Sequence, residues 1–401
     1  MSPLLIAGGG IGGMALALAL TRQGQSVHLL ERGLEFSQEG AGIQLGPNAT
    51  RRLNEWGLSD ALRQCATYPD ELQIHCAQYG HTLVTKNLSH QMEQRFGAPY
   101  VTLHRADLHK LLMQAVTGNE LATISTQQSF QSSRNTDEGI EVDFLNAQSQ
   151  VKQTIHGSVL IGSDGVRSDV RQALLGDGPP TDTGHVAYRS LLPQKMLPKR
   201  LHSSNMHVWL GPRMHMVVYP VRGGEWLNVV LIIESLQVPA SYDWSINRQS
   251  DVIYQDFKAA LKGCCNRVQE LVRNIEQWRS WKLVNRPAVQ NPLQLARGKI
   301  ALIGDAAHPM LPYLAQGAGM AIEDAHVLSQ CWMNVDTQSP ETKLHNYAKQ
   351  RHKRVARVQK KSSQNSVIFH ADGLLRHARD LSLRLLGPQL IDMPWLYAGQ
   401  D

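Results

Sequence analysis

Five glycines fill the six positions Gly8 to Gly13 in the stretch LLIAGGGIGGMALALALTRQGQSVHLLER, close to the first residue. No other feature restricts the fold as strongly, because side chains are absent where a backbone must approach a neighbour or a ligand. Leu4 to Ala7 reads as a short buried strand, Gly8-x-Gly10-x-x-Gly13 as a tight turn and Met14 to Gln23 as an apolar helix. The first amides of such a helix lack intrahelical acceptors, so they can hold an anion such as a phosphate. A second strand is expected over Ser26 to Leu30 and ends at Glu31, 18 residues after Gly13. That is close to the spacing of about 20 at which an acid meets a ribose hydroxyl in dinucleotide-binding units. A secretory signal fits this stretch poorly: no basic segment precedes it, glycines interrupt it and no small-residue cleavage site follows.

The rest of the chain limits the partners of such a unit. With 401 residues, 42% of them hydrophobic, the chain can bury two domains or one large interleaved unit. Its net charge of +6 is partly concentrated in KQRHKRVARVQKK, Lys349 to Lys361. Helical spacing and the lack of interleaved aromatics make this run a solvated helix face, with no nucleic acid expected. The five cysteines form no CxxC pair, which points to a reducing compartment and a cytoplasmic location. No run of about 18 uninterrupted apolar residues follows the start, so integral membrane association is not expected. The 17 histidines lack HExxH or paired spacing, and no metal site is expected.

Ligand-facing turns recur along the chain. EFSQEGAGIQLGPNATRRLNEWGL passes through Gly40, Gly42 and Gly46 before a helix begins near Pro47, and reads as a loop skirting a ligand. HRADLHKLLMQAV is an amphipathic helix with Arg105 at its entrance. Two further apolar strands, in SVLIGSDG and GKIALIGDAAHP, run into Asp164-Gly165 and Asp305, where an open α/β sheet places ligand contacts. Between them, Asn205 to Glu234 alternates like an antiparallel meander with GPR and RGG turns, the sheet of a second domain inserted into the first. Gly317 and Gly319 then open a helix carrying Met320, a second anion-binding N-terminus.

These segments, in order and over essentially the whole chain, resemble the single-component FAD-dependent aromatic hydroxylases, especially the salicylate hydroxylase and 3-hydroxybenzoate 6-hydroxylase branch. The resemblance rests on GGGIGG with Glu31, GAGIQLGPNA, HRADLH, GSDGVRSDVR, AYRSLLP, YPVRGGE, GDAAHPMLPYLAQGAGMAIEDA, YAKQRHKRVARVQ and WLY. It implies an α/β fold with a Rossmann-like FAD-binding domain, an interleaved antiparallel-sheet substrate domain and a C-terminal helical segment. The expected FAD domain comprises residues 1–70, 101–180 and 285–401, and the substrate domain 71–100 and 181–284.

By the same resemblance, FAD lies with its pyrophosphate on Gly8, Gly10 and Gly13 and its ribose on Glu31. Gln44 and Arg105 contact its backbone, Asp305 the ribityl chain, and Gly317, Gly319 and Met320 the flavin O2 region; Asp164 belongs to a turn associated with both FAD and NAD(P)H. No second GxGxxG is present, so NADH or NADPH is a transient co-substrate. The implied reaction passes through a flavin C4a-hydroperoxide whose distal oxygen attacks an electron-rich ring. His215 is the expected catalytic base for the substrate hydroxyl, with Gln316 positioning the ring and Tyr219 binding the substrate. As a neutral base, His215 would lose activity as pH falls through a pKa near the ordinary value of about 6.5.

The preferred reaction is hydroxylation of 3-hydroxybenzoate para to its hydroxyl, giving gentisate. Decarboxylating salicylate 1-hydroxylation and hydroxylation of a larger aromatic metabolite are the alternatives within the class. A non-catalytic flavoprotein binding module and a flavin-free NAD dehydrogenase are the alternatives outside it. NADH against NADPH is open, as is the oligomeric state, a homodimer included.

Overall fold

The computed structural model describes residues 2–34, 41–234, 247–249, 257–258, 260–333 and 338–399; Gly40 of the second glycine loop lies outside them. Leu4–Ala7 sits in the middle of a six-stranded sheet ordered Ala296–Arg297, Ile300–Leu302, Leu160–Gly162, Leu4–Ala7, Val27–Leu30, Ala122–Ser125. All neighbours pair in parallel except the first two. Such strands are buried on both faces, which is why LLIA and IAL are uninterrupted apolar runs. The helix Ile11–Thr21 is buried at every residue and packs against Gly317–Met333. It begins three residues earlier than its apolar run implies, because Gly12 and Gly13 lie inside its first turn.

The second sheet has eight strands, ordered Asn247–Gln249, Gln277–Asn285, Thr181–Pro193, Trp226–Glu234, Met214–Val221, Met206–Gly211, Glu71–Cys76, Thr82–Asn87. Only Met206–Gly211 and Glu71–Cys76 pair in parallel. One face carries Val186, Tyr188, Met214, Met216 and Leu231 into a core with the helix Asn266–Arg273. Alternation sends Ala187, Ile232 and His215 to the opposite face, where they stand side by side in register. That face meets Leu311 and Tyr313, which follow the strand Ile300–Leu302 of the first sheet. The segment that leaves the first sheet therefore packs on this face of the second.

Two elements depart from the sequence reading. A three-stranded antiparallel sheet, Gln128–Asn135, Ile140–Asn146 and Lys152–Gly157, is polar on its exposed side and carried little apolar signal. The late helix, a long charged one expected from Tyr347 onward, starts at Pro340, capped by Ser339, and runs to Phe369. No helix among the described residues is long and apolar enough to cross a membrane.

Candidate active site

The glycine turn is fixed by contacts that admit no side chain. Gly8 has φ +102°, and a Cβ there would lie 2.5 Å from the Ser163 carbonyl oxygen. A Cβ at Gly13 would lie 2.0 Å from the Gly8 carbonyl oxygen, so this position is closed by helix-to-strand packing. Gly10 differs, because no heavy atom lies within 4 Å of a Cβ placed there. Two glycines thus bring the backbone together and the third leaves room beside the helix N-terminus, the arrangement a pyrophosphate requires.

Glu31 reaches back into the same turn, its carboxylate accepting from the amides of Gly9 (2.7 Å) and Gly33 (2.8 Å). Each oxygen retains a lone pair, so this placement is compatible with a ribose hydroxyl. Asp164 is committed to the chain itself. It accepts from the Ser168 hydroxyl and from the amides of Asp169 (2.8 Å) and Val170 (3.2 Å), capping the helix Asp169–Leu175. Its expected part in holding a cofactor is therefore overlaid by a capping one.

Asp305 lies at the end of the Ile300–Leu302 strand. Its side chain is solvent-exposed, yet surrounding protein pushes its carboxyl pKa up, with His308 and Arg105 opposing. Both facts describe the floor of an open cleft. Arg105, across it, is drawn below the usual guanidinium range by burial, Asp305 pulling the other way. A Cβ on Gly317 would sit 3.9 Å from an Asp305 carboxylate oxygen, so the carboxylate faces the start of the Gly317–Met333 helix. Gln44 accepts from the Tyr100 hydroxyl at 2.8 Å and also meets the Tyr219 hydroxyl.

Beneath this floor lies a buried network of charges. The Arg351 guanidinium donates to Asp324 (2.7 Å) and Glu323 (2.6 Å), and Arg354 donates to both oxygens of Glu323 at 2.6 Å. Asp324 also accepts from the Gly304 amide (2.9 Å) and His308 (2.5 Å). Burial alone would raise both carboxylates, but the surrounding cations, Arg351 for both of them, hold them below their usual range. The basic run is thus not simply a solvated face: Arg351 is fully buried and Arg354 turns inward with it. Helical periodicity alone could not separate these two from Lys353 and Arg357, which stay exposed.

The eight-stranded sheet forms the opposite wall. His215 is 1% exposed, its Nδ1 hydrogen-bonded to His370 Nε2 at 2.8 Å and its ring against Tyr313 and Phe369. Burial, with a smaller push from His185, lowers its pKa to about 3. An inflection near 6.5 is therefore not expected from this group, and the sequence-based pH dependence is corrected: the imidazole is already neutral there. Its Nε2 has no partner among the described residues. Tyr219 lies on the same face, four residues on, pushed up to about 12 by burial. Gln316 is 2% exposed and is not on this wall; its side-chain carbonyl accepts from Asn48 at 3.1 Å, and Asn48 donates in turn to Glu323. Only its amide nitrogen remains to meet a ligand.

The sequence reading missed His370 and Tyr313. His370 follows the Phe369 helix end, 155 residues from His215, and no local pattern links the two.

Comparison with known proteins gives this geometry its context. Residues 1–362 match the FAD binding domain family. The chain is 36% identical to a 3-hydroxybenzoate 6-hydroxylase of Polaromonas naphthalenivorans (strain CJ2), over 98% of this chain and 95% of that protein. It is 35% identical to 3-hydroxybenzoate 6-hydroxylase 1 of Aquipseudomonas alcaligenes, over 92% and 90% respectively. Klebsiella pneumoniae HpxO, solved with FAD and uric acid, shares the fold, with a TM-score of 0.82 at 22% identity, 99% of this chain and 96% of that one being covered.

Proposed function

The chain belongs to the FAD-dependent aromatic-ring hydroxylases, and we propose that within them it converts 3-hydroxybenzoate to gentisate with NADH or NADPH as reductant. The observation that carries the substrate side is His215, a neutral buried imidazole with one nitrogen tied to His370 and the other without a partner among the described residues. The relatives named above support the substrate class.

When bound, FAD supplies the two-electron chemistry that activates O2 and offers one oxygen atom to the ring as an electrophile. The residues present fit it: room at Gly10, the helix N-terminus behind it, Glu31 at the ribose end, and Arg105 with Asp305 along the cleft floor. What the protein contributes beyond holding it is control of one proton and of water. His215 Nε2 accepts a hydrogen bond from the substrate hydroxyl while Nδ1–H is donated to His370 Nε2. Kept neutral by its surroundings, His215 takes the hydroxyl proton only as the ring carbon is attacked and returns it to the oxygen when the ring rearomatises. Loss of that proton enriches the ring carbon para to oxygen. Tyr219 closes the pocket toward Gln44, and Gln316 presents its amide nitrogen from the helix side. Ile232, Leu311 and Tyr313 keep water from the reacting atoms.

The test is FAD-loaded protein with NADH or NADPH and a panel of hydroxybenzoates, following reductant oxidation and product mass. Gentisate formed from 3-hydroxybenzoate, at close to one per reductant consumed, is the expected result. Catechol from salicylate, with no turnover of 3-hydroxybenzoate, would reject the assignment.

A further inference from the structure

Arg189 lies on the same sheet face as His215. Register places Ala187, Ile232 and His215 in one row and Arg189, Val230 and Val217 in the next. The first row is buried throughout, whereas all three residues of the second are partly exposed. Farther along, Asn228 and Tyr219 are buried again. A gap in otherwise close packing therefore opens over Val217 and Val230, with Arg189 at one end.

The charge at that end is uncompensated. Arg189 makes no ion pair among the described residues, and its Nε is buried without a hydrogen-bond partner. Its guanidinium stacks over the Trp281 ring at 4.6 Å; Tyr219 favours its charge, whereas the charged neighbours Arg105 and Arg279 are cations. Buried guanidinium groups normally meet a carboxylate or phosphate, because an unpaired donor withdrawn from water is costly. The pyrophosphate place, at the Gly8–Gly13 turn, belongs to the other sheet.

We propose that Arg189 anchors the carboxylate of the aromatic substrate, with the ring lying on Val217 and Val230 and the hydroxyl at His215. The inference rests on the hydroxybenzoate reading above and assigns it a specificity-determining residue. Sheet spacings put the Arg189 and His215 Cα atoms roughly 12 Å apart. Side chains converging from that separation leave space for one ring bearing a polar group at each end. A neutral substrate would leave the guanidinium unpaired, so the pocket selects acids over otherwise similar amides.

The test is anaerobic titration of the FAD-loaded protein, followed by flavin absorbance, with acid and amide pairs: 3-hydroxybenzoate and 3-hydroxybenzamide, salicylate and salicylamide. Wild type is expected to prefer the acid. Arg189→Met should weaken acid binding about 100-fold, in line with the loss of one partner of a buried charge pair, and leave the amide within a few-fold. Arg189→Lys, which keeps a charge and guards against misfolding of the Met variant, should retain part of the preference. FAD content and FAD affinity should be unchanged in both. Equal losses for acid and amide, loss of FAD, or no acid preference in wild type would each overturn the anchor. Preference for the salicylate pair, abolished by Arg189→Met, would overturn the substrate assignment and keep the anchor.

Discussion

Two pairs of buried histidines meet the eight-stranded sheet, each joined ring nitrogen to ring nitrogen: His75 with His207 at 3.0 Å and His215 with His370 at 2.8 Å. In the first pair the outer nitrogens are also satisfied, His75 Nδ1 by the Thr82 hydroxyl at 3.2 Å and His207 Nε2 by the Ser203 hydroxyl at 2.7 Å. In the second they are not. His370 Nδ1 is buried without a partner, and no described residue is hydrogen-bonded to His215 Nε2. Burial lowers the pKa of all four, to about 4 and 3 in the first pair and about 3 and 2 in the second. Depressed basicity therefore does not distinguish a working histidine from a structural one. The unfilled hydrogen bonds are what set the second pair apart from the first.

The largest expected effect falls on the unsaturated pair. His215→Ala should reduce hydroxylation at least about 100-fold, the lower end for a lost general base, while reduction of FAD by the nicotinamide nucleotide survives. The measurement is product formed per reductant consumed, and an unchanged ratio would return His215 to the structural class. The saturated pair should show the opposite division. His207→Leu strands a nitrogen of His75 and should cost about 1–3 kcal/mol of stability in chemical denaturation, with product per reductant as in wild type.

His370→Phe should have a smaller effect on chemistry, about tenfold in the hydroxylation step, from loss of one orienting hydrogen bond. His370→Gln, which retains an acceptor, should recover most of it, a rescue that a purely space-filling residue would not show. The smallest effect is an absence: the hydroxylation rate per folded, FAD-loaded molecule should show no inflection near pH 6.5 from His215. Stability behaves differently. Above pH 6.5 these imidazoles are neutral both folded and unfolded, and the full stability is present. As pH falls from 6.5 toward the folded values between about 4 and about 2, the unfolded chain binds protons that the native state refuses, and stability declines. Denaturation midpoints between pH 7 and pH 5 test this, and constant midpoints would contradict the depressed values.

What could be read from sequence was what depends on neighbours in the chain. Gly8, Gly10 and Gly13 fall on a turn whose strand and helix lie on either side, so their geometry follows from local pattern. The meander over Asn205 to Glu234 was legible for the same reason, since alternation and short turns are local signals. Arg189 required the register of three strands, and His370 required knowing where a 30-residue helix ends against a sheet. The inward turn of Arg351 and Arg354 depended on Glu323 and Asp324, which belong to a different helix. Long-range pairing leaves no mark in periodicity, and the proposed catalytic wall is built almost wholly of it.

The placement of Leu4–Ala7 in the middle of its sheet also has a consequence for how the molecule is made. This strand precedes the others of its sheet in the chain, yet its neighbour Leu160–Gly162 comes much later, and the next strand, Ile300–Leu302, arrives only after the inserted sheet has been translated. Asp305 and the Gly317 helix follow later still. A nascent chain can form the glycine turn early, but it lacks the opposite side of the cofactor cleft until the substrate sheet is already outside the ribosome. Domains usually mature as units during synthesis, and a discontinuous one must wait for its last part. In chain order, then, both sides of the cofactor turn are present only after the eight-stranded sheet has been made.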